Sequence, residues 1–219
     1  MIEAFVTQIY KNRLITKKSK NQSQNEKKIK DQLTVLNSSL ADDVENLLMT
    51  DTKGHLWSRQ NYVAGYTSYG SIDKLHCLLP NFKKLEKMIQ QHVKAYVESL
   101  DYDIKIKDLV MTHCWVNVMP EGAQHTSHIH PLSVISGTYY LQVPSGCSAI
   151  KFEDPRLGFF MNTPSLKTQH HFKNKRFLSV TPHEGDLILF ESWIRHEVPR
   201  NQTQEPRVSI SFNYGWNNQ

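Results

Sequence analysis

Three histidines and one arginine carry the pattern best suited to chemistry. His128 and His130 lie two apart in His125-Thr126-Ser127-His128-Ile129-His130-Pro131. In an extended segment, side chains two apart leave the same face. Two imidazoles so placed can bind one metal ion, and Pro131 ends the extended pair. Farther on, His196-Glu197-Val198 follows the apolar run Leu187 to Phe190, and Arg207-Val208-Ser209 comes after a turn over 199–206. Arg207 and Ser209 share one strand face, while Val208, Ile210 and Phe212 take the other and are expected in the core. A guanidinium beside a hydroxyl suits one end of a dicarboxylate, because arginine presents a planar fork of donors.

Alone, each piece is ordinary: a lone His or strand Arg is usually a surface or core residue. His55, His76, His92, His113, His170, His171 and His183 take that reading. The order His-x-His, strands, His, Arg-x-Ser is what assembles three nitrogen ligands and an anion anchor. Other chemistries lack their signatures. There is no Gly-rich phosphate loop, no GxSxG elbow and no helical HExxH.

The elements that must position these residues fall into two groups. Leu33, Leu36, Leu40, Val44, Leu47 and Leu48 recur at helical spacing and predict a helix from about Glu26 to Met49, broken near Asn37 to Ser39. The stripe Phe82, Leu85, Met88, Ile89, Val93, Tyr96 and Val97 predicts a second helix over Phe82 to Leu100, with Pro80 and Asn81 as its start. Met1 to Tyr10 reads as a short strand, and Gly54 to Ser71 as a long ordered loop. After Asp103, strand-like runs follow one another. They are Leu109 to Met119, Val134 to Val143, Ala149 to Phe152, Phe177 to Val180, Leu187 to Phe190, Ile194 to Val198 and Val208 to Tyr214. Helices followed by short strands predict an α+β fold with a jelly roll packed by helices. The expected organisation is one domain over 1–219, with a helical part over 1–103 and a jelly-roll core over 104–219.

Bulk properties agree. The 219 residues suit one sizeable domain, and 39% hydrophobic with 21% charged residues suits a folded chain. The net charge is +5, and Lys17, Lys18, Lys20, Lys27, Lys28 and Lys30 cluster near the N-terminus. No aromatic residues interleave with them, so the cluster reads as a solvated insertion rather than a nucleic-acid surface. Cys77, Cys114 and Cys147 are odd in number and widely spaced, which argues against a disulfide framework. No apolar run suffices to cross a bilayer. No secretory leader is recognisable, and a reducing, cytoplasmic compartment is the default, the host's if the chain is viral.

The motifs resemble the Fe(II)/2-oxoglutarate oxygenase superfamily, and within it a prolyl-hydroxylase-like subgroup of bacteria and phages. The resembling segments are 115–120 (WVNVMP), 128–131 (HIHP), 136–141 (SGTYYL), 184–190 (EGDLILF), 196–198 (HEV) and 207–213 (RVSISFN). The 65–69 loop (GYTSY) adds to them, so the likeness runs from about residue 60 to the end. The resemblance implies a double-stranded β-helix (cupin-like) that uses Fe(II), 2-oxoglutarate and O2 to hydroxylate a protein residue or small molecule. His128 matches the first ligand position and His196 the distant one. Arg207 and Ser209 match the anchor of the far carboxylate of 2-oxoglutarate. Tyr140 matches a tyrosine on that carboxylate, with Tyr139 as the alternative, and Asn117 is a further cofactor-binding candidate. Trp193 and the Tyr66 to Tyr69 loop are candidate walls of the substrate side.

The family's motif is HxD or HxE, whereas this chain has His130 at the carboxylate position. That departure keeps two alternatives open: a three-His dioxygenase that does not use 2-oxoglutarate, and an inactive binding protein on the same barrel. Asp154, the nearest other carboxylate, precedes a proline and reads as a turn residue.

Overall fold

A computed structural model of the chain describes residue 2, residues 4–15 and residues 22–216, with residues 22–30 described by their backbone alone. Strand β1 (Tyr10–Arg13) precedes helices α1 (Gln22–Thr50) and α2 (Thr52–Asn61), strand β2 (Tyr66–Thr67), and helices α3 (Leu75–Leu78) and α4 (Pro80–Ser99). Eight strands complete the chain: β3 (Leu109–Met119), β4 (His125–His128), β5 (Ile135–Gln142), β6 (Ile150–Glu153), β7 (Phe177–Val180), β8 (Asp186–Glu191), β9 (His196–Val198) and β10 (Arg207–Trp216). With β1 and β2 they form two antiparallel sheets, ordered β1-β8-β5-β10-β3-β2 and β4-β9-β6-β7. The fold is the expected α+β, helix-supported double-stranded β-helix.

Alternation along each strand decides which residues reach the interior. Val116, Val118, Tyr139, Leu187, Leu189, Val208, Ile210 and Phe212 face outward from the six-stranded sheet and are buried under the helices. Leu36, Leu40, Val44 and Leu47 of α1 and Phe82, Leu85, Ile89, Val93, Tyr96 and Val97 of α4 cover them. The opposite face turns toward the second sheet, where Tyr140, Ile188 and Phe190 pack on Ile150, Phe152 and Ile194. Pro80 opens α4 in its first turn, where the missing N–H costs no hydrogen bond.

Four expectations need correction. Residues 4–9 are not strand: pairing with β8 starts at Tyr10, opposite Leu189. Helix α4 instead holds the preceding segment, as the Tyr96 hydroxyl donates to the Gln8 carbonyl at 2.8 Å. Helix α1 runs unbroken through Asn37 to Ser39. Its polar residues have partners that do not interrupt the helix: Ser39 Oγ donates to the Val35 carbonyl, and Asn37 bonds Glu184 and the Tyr139 hydroxyl. Residues 54–61 belong to α2 rather than to a loop. Asp51 caps that helix by accepting from the Gly54 N–H at 2.8 Å. Gly54 marks a close approach rather than a turn, since a Cβ there would lie 2.0 Å from Asp51 Oδ2. Strand β9 starts at His196 and not Ile194, because a turn closes between Ile194 N–H and the Glu191 carbonyl.

Lys17, Lys18 and Lys20 lie outside the described residues, as do the side chains of Lys27, Lys28 and Lys30. Among the described residues, no helix is long and apolar enough to cross a membrane. Cys77, Cys114 and Cys147 are free, with Cys114 buried in the core.

Candidate metal centre and anion pocket

Strands β4 and β9 pair with His128 opposite His196, which brings two segments 68 positions apart in the chain to one point. His130 lies just past the end of β4, held by its own N–H donating to the Ser192 carbonyl at 3.0 Å. The ring centroids of His128 and His196 are 4.3 Å apart, and those of His130 and His196 are 5.0 Å apart. One nitrogen from each ring falls within 4.8 Å of the other two.

Hydrogen bonding decides which nitrogens face inward. His128 Nδ1 sits 2.7 Å from the Thr126 carbonyl, and His196 Nδ1 sits 2.9 Å from the Ile194 carbonyl. A carbonyl only accepts, so each Nδ1 carries the proton and each Nε2 keeps a lone pair. His130 Nδ1 lies 2.7 Å from both Ser136 Oγ and Asn213 Oδ1. Nε2 of His128 and Nε2 of His130 are 3.1 Å apart. That is close to the separation of two adjacent ligands each about 2.1 Å from one metal ion. Lone pairs facing each other repel, and a cation between them resolves the conflict. The donor set fits a transition-metal ion.

Burial keeps the rings neutral, which is the ligand form. Desolvation, with the neighbouring imidazoles, pushes His196 down to about 2 and His130 down to about 4. Burial also lowers His128 below its usual value.

Strand β10 extends the site away from the histidines. Arg207, Ser209, Ser211 and Asn213 alternate inward and are all buried. Arg207 is 2% exposed. Among the described residues its guanidinium meets no carboxylate: Nη1 lies 3.2 Å from Met119 Sδ and 3.5 Å from Ser209 Oγ. Its carbon stands 4.9 Å above the Tyr140 ring. Among the described residues, four buried polar atoms here have no hydrogen-bond partner: Arg207 Nε, Tyr140 Oη, Tyr62 Oη and Asn117 Oδ1. Asn117 Nδ2 donates to Ser211 Oγ at 3.0 Å. One narrow cavity is lined by Arg207, Ser209, Asn117 and Tyr62 at this end and by the three histidines at the other.

Each predicted site residue therefore has a place. His128, His130, His196, Arg207, Ser209 and Asn117 line one cavity, and Tyr140 lies under Arg207. Tyr139 is excluded from the cavity, since its hydroxyl points to Asn37 of α1. Asp154 is a turn residue as expected, its carboxylate taken by Arg156 at 2.8 and 2.9 Å. Trp193 does not line the cavity; it is exposed and donates to Glu191. In the 66–69 loop, the Tyr66 hydroxyl turns away to Asp51, and Tyr69 reaches the site only through the edge of Trp115.

Four residues of the site escaped the sequence reading: His125, Tyr62, Ser136 and Asn213. His125 stacks on His128 at 4.3 Å and meets the edge of Tyr62 at 5.1 Å. Burial, then the nearby imidazoles and Arg207, pushes it down to about 3. It is three positions from His128, and only the register shift in β4 turns both rings inward. Asn213 was visible in principle, as the fourth inward position of the Arg207 strand.

Residues 113–213 match the model of a family described as "Putative 2OG-Fe(II) oxygenase". The match bears out the recognition drawn from the motifs, over a shorter span than from residue 60; the 65–69 loop lies outside it. No curated protein matches the chain. Among solved structures, a Pseudomonas putida prolyl-4-hydroxylase superposes with TM-score 0.57 at 13% identity, covering 96% of this chain and 93% of that one. HygX from Streptomyces hygroscopicus, solved with nickel, 2-oxoglutarate and hygromycin B, superposes with TM-score 0.57 at 12% identity, covering 95% and 83%. The chain spans 59% of the length of a 2OG-Fe(II) oxygenase family oxidoreductase from Burkholderia pseudomallei, with 63% of its own length covered, 13% identity and a TM-score of 0.47. At these identities the likenesses establish the fold.

Proposed function

We propose that the chain is a non-haem Fe(II) and 2-oxoglutarate-dependent dioxygenase that hydroxylates a protein residue or small molecule. His128, His130 and His196 would hold the iron. Arg207 and Ser209 would donate to the far carboxylate of 2-oxoglutarate, with Tyr140, Tyr62 and Asn117 beside them. One observation carries this reading: a fully buried guanidinium without a carboxylate partner shares its cavity with three inward-facing imidazole nitrogens. A buried charge left uncompensated costs several kcal/mol, on the order of what an anionic ligand returns.

When bound, the iron, 2-oxoglutarate and O2 supply oxidative decarboxylation to succinate and CO2 coupled to hydroxylation of a C–H bond. The protein's own contribution is charge placement and exclusion of water. Three neutral imidazoles leave a divalent ion with its full charge, so the dianionic co-substrate would offset one positive charge at the metal and one at Arg207. Phe152 and Phe190, whose rings lie 6.0 and 4.5 Å from His196, shield the metal side from solvent. Phe152 and Ile194 form a buried wall beside His196. A separate cleft of about 550 Å³, lined by Ile9, Phe152, Phe172, Leu178 and Ile194, lies on the far side of this wall.

His130 in place of a carboxylate favours one second reading, a three-His dioxygenase that attacks a chelating substrate without 2-oxoglutarate. Oxygen uptake and succinate release by the Fe(II)-loaded protein separate the two. We expect succinate formation that requires 2-oxoglutarate and is lost in Arg207→Ala. Oxygen uptake that ignores 2-oxoglutarate would favour the second reading.

A further inference from the structure

The three imidazoles are not fixed in the same way. His128 and His196 each place Nδ1 against the main-chain carbonyl two residues earlier, Thr126 and Ile194. No side-chain substitution can remove those acceptors. His130 instead depends on side chains from two other strands. Ser136 of β5 and Asn213 of β10 are directly paired across the sheet, and both place an oxygen 2.7 Å from His130 Nδ1. Ser136 Oγ donates to Asn213 Oδ1 at 2.8 Å and also lies 2.8 Å from Ser192 Oγ. Ser136 and Ser192 are buried, and Asn213 is 6% exposed.

With Asn213 oriented oxygen-inward, counting protons through this cluster leaves one consistent arrangement. Ser136 gives its only proton to Asn213 Oδ1, so Ser192 donates to Ser136. The amide oxygen cannot donate, so the proton between it and the ring belongs to His130 Nδ1. Nε2 of His130 is then a lone pair, aimed at Nε2 of His128 3.1 Å away. Without the cluster the other tautomer would be favoured, since its Nε2 proton could be donated to His128 Nε2 and would block a metal.

We infer that Ser136, Ser192 and Asn213 are positioning residues that commit His130 to the Nδ1–H tautomer and so let a histidine stand at the carboxylate position of the metal centre. The inference rests on the metal site proposed above but concerns residues that touch no metal. Asn213 is the main determinant, Ser136 orients its oxygen, and Ser192 orients Ser136.

The test uses Co(II) as the probe and nitrogen NMR of the metal-free protein. In wild type, the long-range 15N spectrum should show His130 as the Nδ1–H tautomer, and Co(II) should bind with a ligand-field band. Asn213→Leu should lose the tautomer preference and weaken Co(II) about 10- to 100-fold, the usual scale for partners behind a ligating imidazole. Asn213→Asp, which can only accept, should restore both the tautomer and the affinity. The tautomer separates this from a merely structural role, which would lower affinity in Asn213→Leu while leaving the 15N pattern of His130 as in wild type. Wild-type affinity in a folded Asn213→Leu protein, or Asn213→Asp as weak as Asn213→Leu, would overturn the inference. Failure of wild type to bind Co(II) would count against the metal site itself, while the metal-free tautomer would still decide the role of the cluster.

Discussion

The two ends of the cavity are built on opposite principles. At the histidine end Nδ1 of His128, His130 and His196 each has a partner, two from the main chain and one from Ser136 and Asn213. At the arginine end Arg207 Nε, Tyr140 Oη, Tyr62 Oη and Asn117 Oδ1 all lack partners. Native interiors rarely leave so many polar atoms unpaired in one place. On the proposed reading, the contrast teaches that the protein would pre-arrange three metal ligands and leave the anchor end to be completed by a ligand's oxygens.

Substitutions at the two ends should therefore behave in opposite ways. The largest effect is expected at Arg207. Arg207→Met should weaken 2-oxoglutarate binding to the metal-loaded protein by at least about 30-fold, from the 2–5 kcal/mol that truncating one partner of a buried charge pair costs. The same change should leave Co(II) affinity near wild type and should not lower the melting temperature of the ligand-free protein, because it removes an uncompensated buried charge. Calorimetric titration and thermal melts check both halves. Next in size, His196→Ala should reduce Co(II) affinity by more than tenfold. It should also abolish the extra thermal stabilisation that metal and 2-oxoglutarate give together. For wild type that stabilisation is about 2.7 kcal/mol at a ligand concentration 100 times Kd.

A smaller effect concerns pH. Burial holds His125, His130 and His196 at about 3, about 4 and about 2, below their usual value of 6.5. As pH falls below 6.5 the unfolded chain takes up protons that the folded chain refuses. Stability conferred above 6.5 is therefore lost progressively toward pH 4 and below. In the presence of chelator, wild type should lose melting temperature over that window, and His125→Asn should lose less. A variant with the same slope as wild type would contradict the assigned burial of that ring. The smallest change is expected for Tyr62→Phe, which removes one hydroxyl from the anchor end. It should weaken 2-oxoglutarate a few-fold, in line with about 1 kcal/mol for one hydrogen bond, and leave metal affinity untouched.

Much of this layout was legible in the sequence, for physical reasons. Strand alternation put Arg207 and Ser209 on one face and Val208, Ile210 and Phe212 on the other, and the structure buries the two sets on opposite sides of β10. The stripe of α4 was equally clear, because a two-sided helix needs a continuous apolar face. What stayed hidden depended on tertiary partners. Helix α1 carries Asn37 without breaking because Tyr139 and Glu184, more than 100 positions away, receive its side chain. Gly54 looked like a turn signal but serves a close approach to its own cap. His125 broke the period-two rule through a register shift that no local pattern announces. Ser136 and Asn213 matter only because β5 and β10 pair, and nothing in the sequence near His130 names them.

The central claim is that one cavity holds a three-histidine metal at one end and the far carboxylate of 2-oxoglutarate at the other. The most direct measurement is the visible absorption of the anaerobic protein titrated with Fe(II) and then with 2-oxoglutarate. The account predicts a weak charge-transfer band that appears only when both are present, saturates at one equivalent, and is absent in Arg207→Ala at the same 2-oxoglutarate concentration. No band in wild type under saturating Fe(II) and 2-oxoglutarate, or an undiminished band in Arg207→Ala, would contradict it.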